Sequence, residues 1–268
     1  MVEVSWKQLG ALFALTFITL ALTWQKPAGT RTELVVFAAS SLTEGFTDVA
    51  EAFERANPGV DVRLSFAGSQ VLRMQLQHGA AADVFASANE AHMKALADSH
   101  LVSHHSVGQH SVFARNDLTV IVPATNPAKI NSFADLARAQ RLVIGTAAVP
   151  VGIYTRDVFA NARKVHGASF VDMLEGRVVS EETNVRVVRA KVALGEADAA
   201  FVYRTDALAS DAVTQVPIPA DILCSAKYRI APVTQSPQPE AAGRFVAFVR
   251  SPAGQALLQK RGFVAVSP

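Results

Sequence analysis

From Thr32 onward the chain alternates short apolar runs with stretches patterned at helical spacing, and this alternation restricts the fold more than any other feature. Leu34 to Ala39 reads as a buried strand. It leads into a helix from Leu42 to about Ala56, with Phe46, Val49, Ala50 and Phe53 on one face and the breakers Asn57, Pro58 and Gly59 behind it. Val60 to Phe66 is a strand, Gly68 and Ser69 open a helix ending at Gly79, and a strand at Asp83 to Ala86 precedes a helix over Ala88 to Asp98. After a long β-rich run from Val112 to Val122, the pattern predicts a helix near Ser132 to Ala139, a strand at Leu142 to Gly145 and a helix from Gly152 to about Val165. A strand at Arg177 to Val179, a helix at Val185 to Leu194, a strand at Ala199 to Tyr203 and two tail helices, Ala241 to Val249 and Gly254 to Lys260, complete the reading.

Strands that alternate with helices predict a doubly wound, parallel α/β architecture. A chain of 268 residues has material for two lobes of ordinary size. The segments near Val112 to Leu118 and Lys227 to Val233 are the expected crossings between them. No internal repeat stands out in the sequence.

Charge narrows the partners. The formal net charge is +2, with 25 basic and 23 acidic side chains, so the chain lacks the basic field that holds nucleic acid. The single cysteine, Cys224, excludes an internal disulfide and a thiolate metal cluster, and reads as a buried, inert thiol. Leu9 to Leu22 is an apolar run behind Lys7. It is shorter than the ~20 residues a bilayer span needs, so residues 1–30 read as a signal peptide, with an uncleaved anchor as the alternative.

The chemistry is concentrated where strands hand over to helices. Ser41 follows the first strand, Ser69 follows Gly68, Val151 follows Pro150, and Val185 follows Thr183 and Asn184. Helix starts leave backbone N–H groups unpaired and carry roughly half a positive charge, so several starts that converge form an anion site without lysine or arginine. Taken one at a time, each signal has an ordinary explanation. Ser41 with Glu44 fits a capping box, Ser69 fits an N-cap, Val185 fits a core valine, and Tyr203 fits a buried aromatic with a paired hydroxyl.

The motifs FAASSLTEGF, LSFAGSQVLRMQLQHGAAADVFASAN, VPVGIYTRDVF and NVRVVRAKVALGEADAAFVYRTDA, in that order, resemble the periplasmic molybdate-binding proteins of ABC transporters, over about Leu34 to Val264. The resemblance implies a two-lobed, type II periplasmic binding protein fold, each lobe a mixed, mostly parallel sheet flanked by helices, with the ligand cleft between lobes. Lobe 1 is expected over residues 33–113 plus 230–268 and lobe 2 over 114–229. The resemblance also implies a molybdate or tungstate oxyanion held by Ser41, Ser69, Val151, Val185 and Tyr203, with no cofactor, no catalysis and no direct cation ligand. The implied protein is a periplasmic monomer that delivers its ion to an ABC transporter permease. Three departures stand out: Gln70 replaces a small polar residue, Asn89 stands where an aspartate is frequent, and extra residues separate the VPVGIY and NVR motifs.

Three other readings compete. A serine hydrolase would use Ser40 or Ser41, but no G-x-S-x-G elbow is present and no histidine lies near either serine in sequence. A metal site would draw on His100, His104, His105 and His110, whose spacing also suits a polar loop after a helix. The same fold could hold sulfate, phosphate or a small organic anion, with Arg186 or Arg204 as the fork for a carboxylate.

Overall fold

The computed structural model describes residues 31–108 and 111–266; the expected signal segment lies outside them. The apolar runs fold as strands β1 (Thr32–Ala39), β2 (Val60–Ala67), β3 (Val84–Ser87), β4 (Val112–Pro123), β5 (Leu142–Gly145), β6 (Val178–Glu182), β7 (Ala199–Tyr203), β8 (Val213–Val216), β9 (Ser225–Pro232) and β10 (Val264–Ala265). Between them lie helices α1 (Thr43–Ala56), α2 (Ser69–Gln77), α3 (Glu90–Asp98), α4 (Pro150–Val165), α5 (Ala168–Glu175), α6 (Val185–Ala193), α7 (Arg204–Leu208), α8 (Pro239–Arg250) and α9 (Pro252–Lys260).

The same strand order is built twice. β1 pairs in parallel with β2 on one side and β3 on the other, with α1 and α2 as the connections. β5 pairs in parallel with β6 and β7, with α4, α5 and α6 as the connections. In each unit the first strand lies between the second and the third. The chain therefore reverses direction across the sheet beside β1 and beside β5, and such switch points open a crevice at the carboxyl ends of the strands.

β4 joins the two units. Its first half, Val112–Asp117, pairs antiparallel with β9, which pairs antiparallel with β3. Its second half pairs antiparallel with β7 through Leu118–Ile121 and with β8 through Val120–Pro123. The sheet is mixed, as expected: among the described residues the four parallel strand pairs lie within the two units, and the five antiparallel ones, counting β10 against β4, lie outside them. The long strands β4 and β9 account for the antiparallel pairs, because each runs against every strand it touches.

Several elements escaped the pattern for identifiable reasons. β6 is an edge strand that carries Ser180, Glu181 and Glu182, so its polar end hid its length. α5 has only 8 residues and is bounded by Gly167, at φ 88°, and Gly176, which leaves too short a window for helical periodicity. α7 and β8 are 5 and 4 residues long. The helix expected over Ser132 to Ala139 is a 3-10 turn at Ala134–Arg138, held by Asp135, whose carboxylate accepts from the Ser132 hydroxyl and backbone.

The α1 face anticipated from the sequence packs against α8. Phe245 is fully buried, with its ring centroid 5.2 Å from that of Phe53 and 6.1 Å from that of Phe46, both edge to face. This aromatic cluster seats the start of α1, and with it the turn that bears Ser41. Phe245→Ala is expected to destabilise the fold by about 3–5 kcal/mol. Urea unfolding should show a lower midpoint with an unchanged slope.

Candidate functional site

The six strands of the two parallel units end around one small cavity. It leaves about 10 Å³ for the centre of a water-sized sphere, room for about one such sphere. Ser41, Ser69, Val151, Val185 and Tyr203 all line it, and Ala39, Ser40, Gly68, Ala88, Val149 and Pro150 complete the wall. Every residue proposed from the sequence is thus brought to one point, and among the described residues no charged side chain joins them there.

The serine hydroxyls are oriented from behind. Ser41 lies in a 3-10 turn, Ser40–Leu42, directly after β1, and its Oγ is 2.8 Å from Tyr228 Oη. Asn116 Nδ2 donates to the same Tyr228 oxygen at 3.4 Å and to Thr205 Oγ1 at 2.8 Å. Either hydroxyl can donate in the Ser41–Tyr228 bond; with Tyr228 accepting from Asn116 and donating to Ser41, the Ser41 proton is left for the cavity. Ser69, the first residue of α2, accepts the Ala88 backbone N–H at 3.1 Å and likewise keeps its own proton free. The capping box suggested by Ser41 and Glu44 does not form: α1 has no side-chain cap, and Glu44 instead accepts from Arg186 Nη1 at 2.6 Å.

The backbone donors are left over by design of the helix starts. α4 begins with Pro150, which has no N–H, so the first free donor is that of Val151. A Cβ on Gly152 would stand 2.1 Å from the Thr146 carbonyl oxygen and 2.3 Å from that of Gly145. Only glycine lets the first turn of α4 lie this close on the end of β5. At α6 the Asn184 side chain caps the N–H groups of Arg186 and Val187, at 3.0 and 3.1 Å. The N–H of Val185 is the one that Asn184 leaves unserved.

Tyr203 ends β7 and is 1% exposed, and its hydroxyl has no partner among the described residues. An unpaired buried hydroxyl costs on the order of 1–3 kcal/mol, so this one is poised to donate. Burial holds the phenols of Tyr203 and Tyr228 well above their ordinary pKa, and also raises that of Tyr154, whose ring flanks Tyr203 at 6.4 Å. Asp206, on the helix after Tyr203, is 1% exposed with neither carboxylate oxygen paired among the described residues; burial raises its pKa to about 7 against the opposing pull of Arg189.

The competing readings meet specific obstacles. Ser41 is bonded to a phenol, and His92, which faces this region, is occupied at Nε2 by the Ala148 carbonyl at 3.0 Å. Arg186 is paired with Glu44, and Arg204 is exposed away from the cavity wall. His100 lies beyond the end of α3 at φ 58°, so its spacing to His104 does not set two imidazoles on one helix face. Among the described residues no group of three or more His, Cys, Asp or Glu side chains is placed to hold a metal, and His110 lies outside them. Cys224 is half-buried rather than buried, with its thiol pKa raised by burial. Tyr228 and Asn116 were not foreseen, because both lie in strands whose alternation reads as ordinary packing.

Residues 34–264 match the family of bacterial extracellular solute-binding proteins. The molybdate-binding protein ModA of Mycobacterium tuberculosis is 40% identical over 232 residues, covering 86% of this chain and 84% of the relative. The periplasmic molybdate-binding protein of Azotobacter vinelandii has the same fold, with a TM-score of 0.73 at 20% identity over 87% of this chain and all of that one. The sulfate-binding protein SubI of Mycobacterium tuberculosis superposes with a TM-score of 0.79 at 20% identity, over 89% of this chain and 88% of its own.

The tyrosines give a direct check on the site. The chain has three, and all titrate higher folded than unfolded. The unfolded chain therefore loses its phenolic protons first, near pH 10, and stability falls as pH rises from there through the folded values. An alkaline absorbance titration should show no tyrosinate step near pH 10, with the signal appearing only together with loss of far-UV circular dichroism.

Proposed function

The chain belongs to the bacterial extracellular solute-binding protein family, and from that premise we propose that it captures molybdate, and tungstate equally, and delivers the ion to the permease of an ABC transporter. The observation that carries this reading is the convergence of two hydroxyls, two helix-start N–H groups and a phenol on one cavity without a charged residue. A tetrahedral dianion offers only acceptors, and hydrogen bonds to a charged group contribute about 1.5–3 kcal/mol each. Monohydrogen phosphate would bring a proton with no acceptor to receive it, at a cost of about 1–3 kcal/mol. Sulfate has no such proton and is selected against by size alone.

The site sits where the two strand units meet. We assign residues 33–113 with 230–268 to one lobe and 114–229 to the other, so that Ser41 and Ser69 approach the ion from the first and Val151, Val185 and Tyr203 from the second. The protein acts outside the cytoplasm as a monomer and carries out no chemistry on its ligand. Among the described residues no helix is long and apolar enough to cross a membrane.

Thermal shift with molybdate, tungstate, sulfate and phosphate at equal concentration tests the assignment. The first two should raise the melting temperature, since a ligand at a hundred times its dissociation constant adds about 2.7 kcal/mol. Ser69→Ala and Tyr203→Phe should each weaken molybdate binding at least tenfold, roughly 1.4 kcal/mol, in calorimetry, with the ion-free protein still folded. A stabilisation by sulfate alone would reassign the ligand.

A further inference from the structure

Gln70 follows the site serine Ser69, yet its side chain turns away from its own helix. It is 8% exposed, and its Nε2 donates to the backbone carbonyl of Thr183 at 2.7 Å, across 113 residues of sequence. Thr183 precedes the Asn184 cap and the Val185 donor, so this one bond ties the start of α2 to the start of α6. The amide can face only one way, since a flipped Gln70 would set oxygen against oxygen.

Gly68 is what makes room for it. Gly68 has φ −61° and ψ 139°, a conformation any residue adopts. Its need for glycine is steric: a Cβ there would stand 2.5 Å from the Thr183 carbonyl oxygen, 2.5 Å from Gln70 Oε1 and 2.6 Å from Gln70 Nε2. One obstructing atom belongs to the opposite side of the site and two to the Gln70 amide that bonds to it, so a Cβ at Gly68 would stand in the space that the Gln70–Thr183 contact occupies.

Two other contacts cross the same gap. Glu44 meets Arg186 at 2.6 Å, but both are about one-third exposed, where ion pairs contribute little. His92 Nε2 meets the Ala148 carbonyl at 3.0 Å, with its pKa lowered chiefly by burial. Gln70 is the one of the three that lies beside two site donors at once.

We propose that Gln70, lying over Gly68 and bonded to the Thr183 carbonyl, is a positioning residue that holds the site shut and sets the rate at which the bound oxyanion leaves. This rests on the anion-binding reading above. The bond forms only when the two sides of the cavity are together, so it stabilises the closed state and leaves the open state untouched. Its Oε1 has no partner among the described residues and regains water on opening, which keeps the clasp weak enough to release. Entry of the ion into the open site does not involve Gln70, so the effect falls on dissociation.

The test uses the full chain, stopped-flow tyrosine fluorescence and whichever of molybdate, tungstate, sulfate and phosphate stabilises the wild type. Gln70→Ala should speed dissociation about fivefold, with the association rate and the ion-free melting temperature unchanged. Gln70→Glu keeps the shape but replaces the donor with an acceptor facing the Thr183 oxygen, and should dissociate at least as fast as Gln70→Ala. Wild-type dissociation rates in Gln70→Ala, or in Gln70→Glu, would overturn the clasp. A wild-type protein that binds sulfate and not molybdate sinks the ligand assignment while leaving the clasp to be measured with sulfate; one that binds none of the four sinks both.

Discussion

A dianion can be held by uncharged groups only when each donor has its own acceptor side filled from behind and water is kept out. Both conditions shape this molecule. Asn116 donates to Tyr228, which shares a hydrogen bond with Ser41; Ala88 donates to Ser69; Asn184 takes two N–H groups and leaves the third. Remove any rear donor and the front hydroxyl gains a choice of partners, which lowers its worth to an ion. The energy of such a site therefore resides as much in strands β4 and β9, which carry Asn116 and Tyr228, as in the residues at the cavity wall.

Those two strands also solve a construction problem. Each parallel unit, β2-β1-β3 and β6-β5-β7, presents its donors at the carboxyl ends of its strands, and the two sets of ends must face each other. Antiparallel β4 and β9 allow this, since β4 pairs with β9 along its first half and with β7 along its second. The change of partner falls between Asp117 and Leu118. Asn116 stands one residue short of it, so the residue that starts the donor relay lies beside the point where one unit passes into the other.

Much of this was legible in the sequence. The long elements announced themselves through periodicity, and the helix starts at Ser69, Pro150 and Val185 fall within two residues of where breakers and caps placed them. The five wall residues could be named because the motif order carried a family resemblance; singly, each had an ordinary structural explanation. What stayed hidden was long-range. Tyr228 meets Ser41 across 187 residues and Gln70 meets Thr183 across 113, and no local pattern encodes either contact. The twofold use of one strand order was equally invisible, because it repeats topology and not residues. The need for glycine at position 68 was hidden too, because it comes from the Gln70 amide and the Thr183 carbonyl it bonds to and not from the local backbone conformation.

The charges of the protein are handled consistently with an uncharged cavity. Outside the cavity wall Glu44 is matched with Arg186 and Asp48 with Arg261. Asp206 would break this balance if ionised, being buried behind Tyr203 with no bond to either oxygen. Burial shifts it to about 7, so that near neutrality a large share of the molecules carry it as a neutral acid, and a dianion held in the neighbouring cavity would raise it further. A permanent cation at this position would bind almost any anion and weaken with salt. Fixed dipoles impose geometry instead: they reward an ion whose oxygens reach all of them at once and offer little to one that cannot.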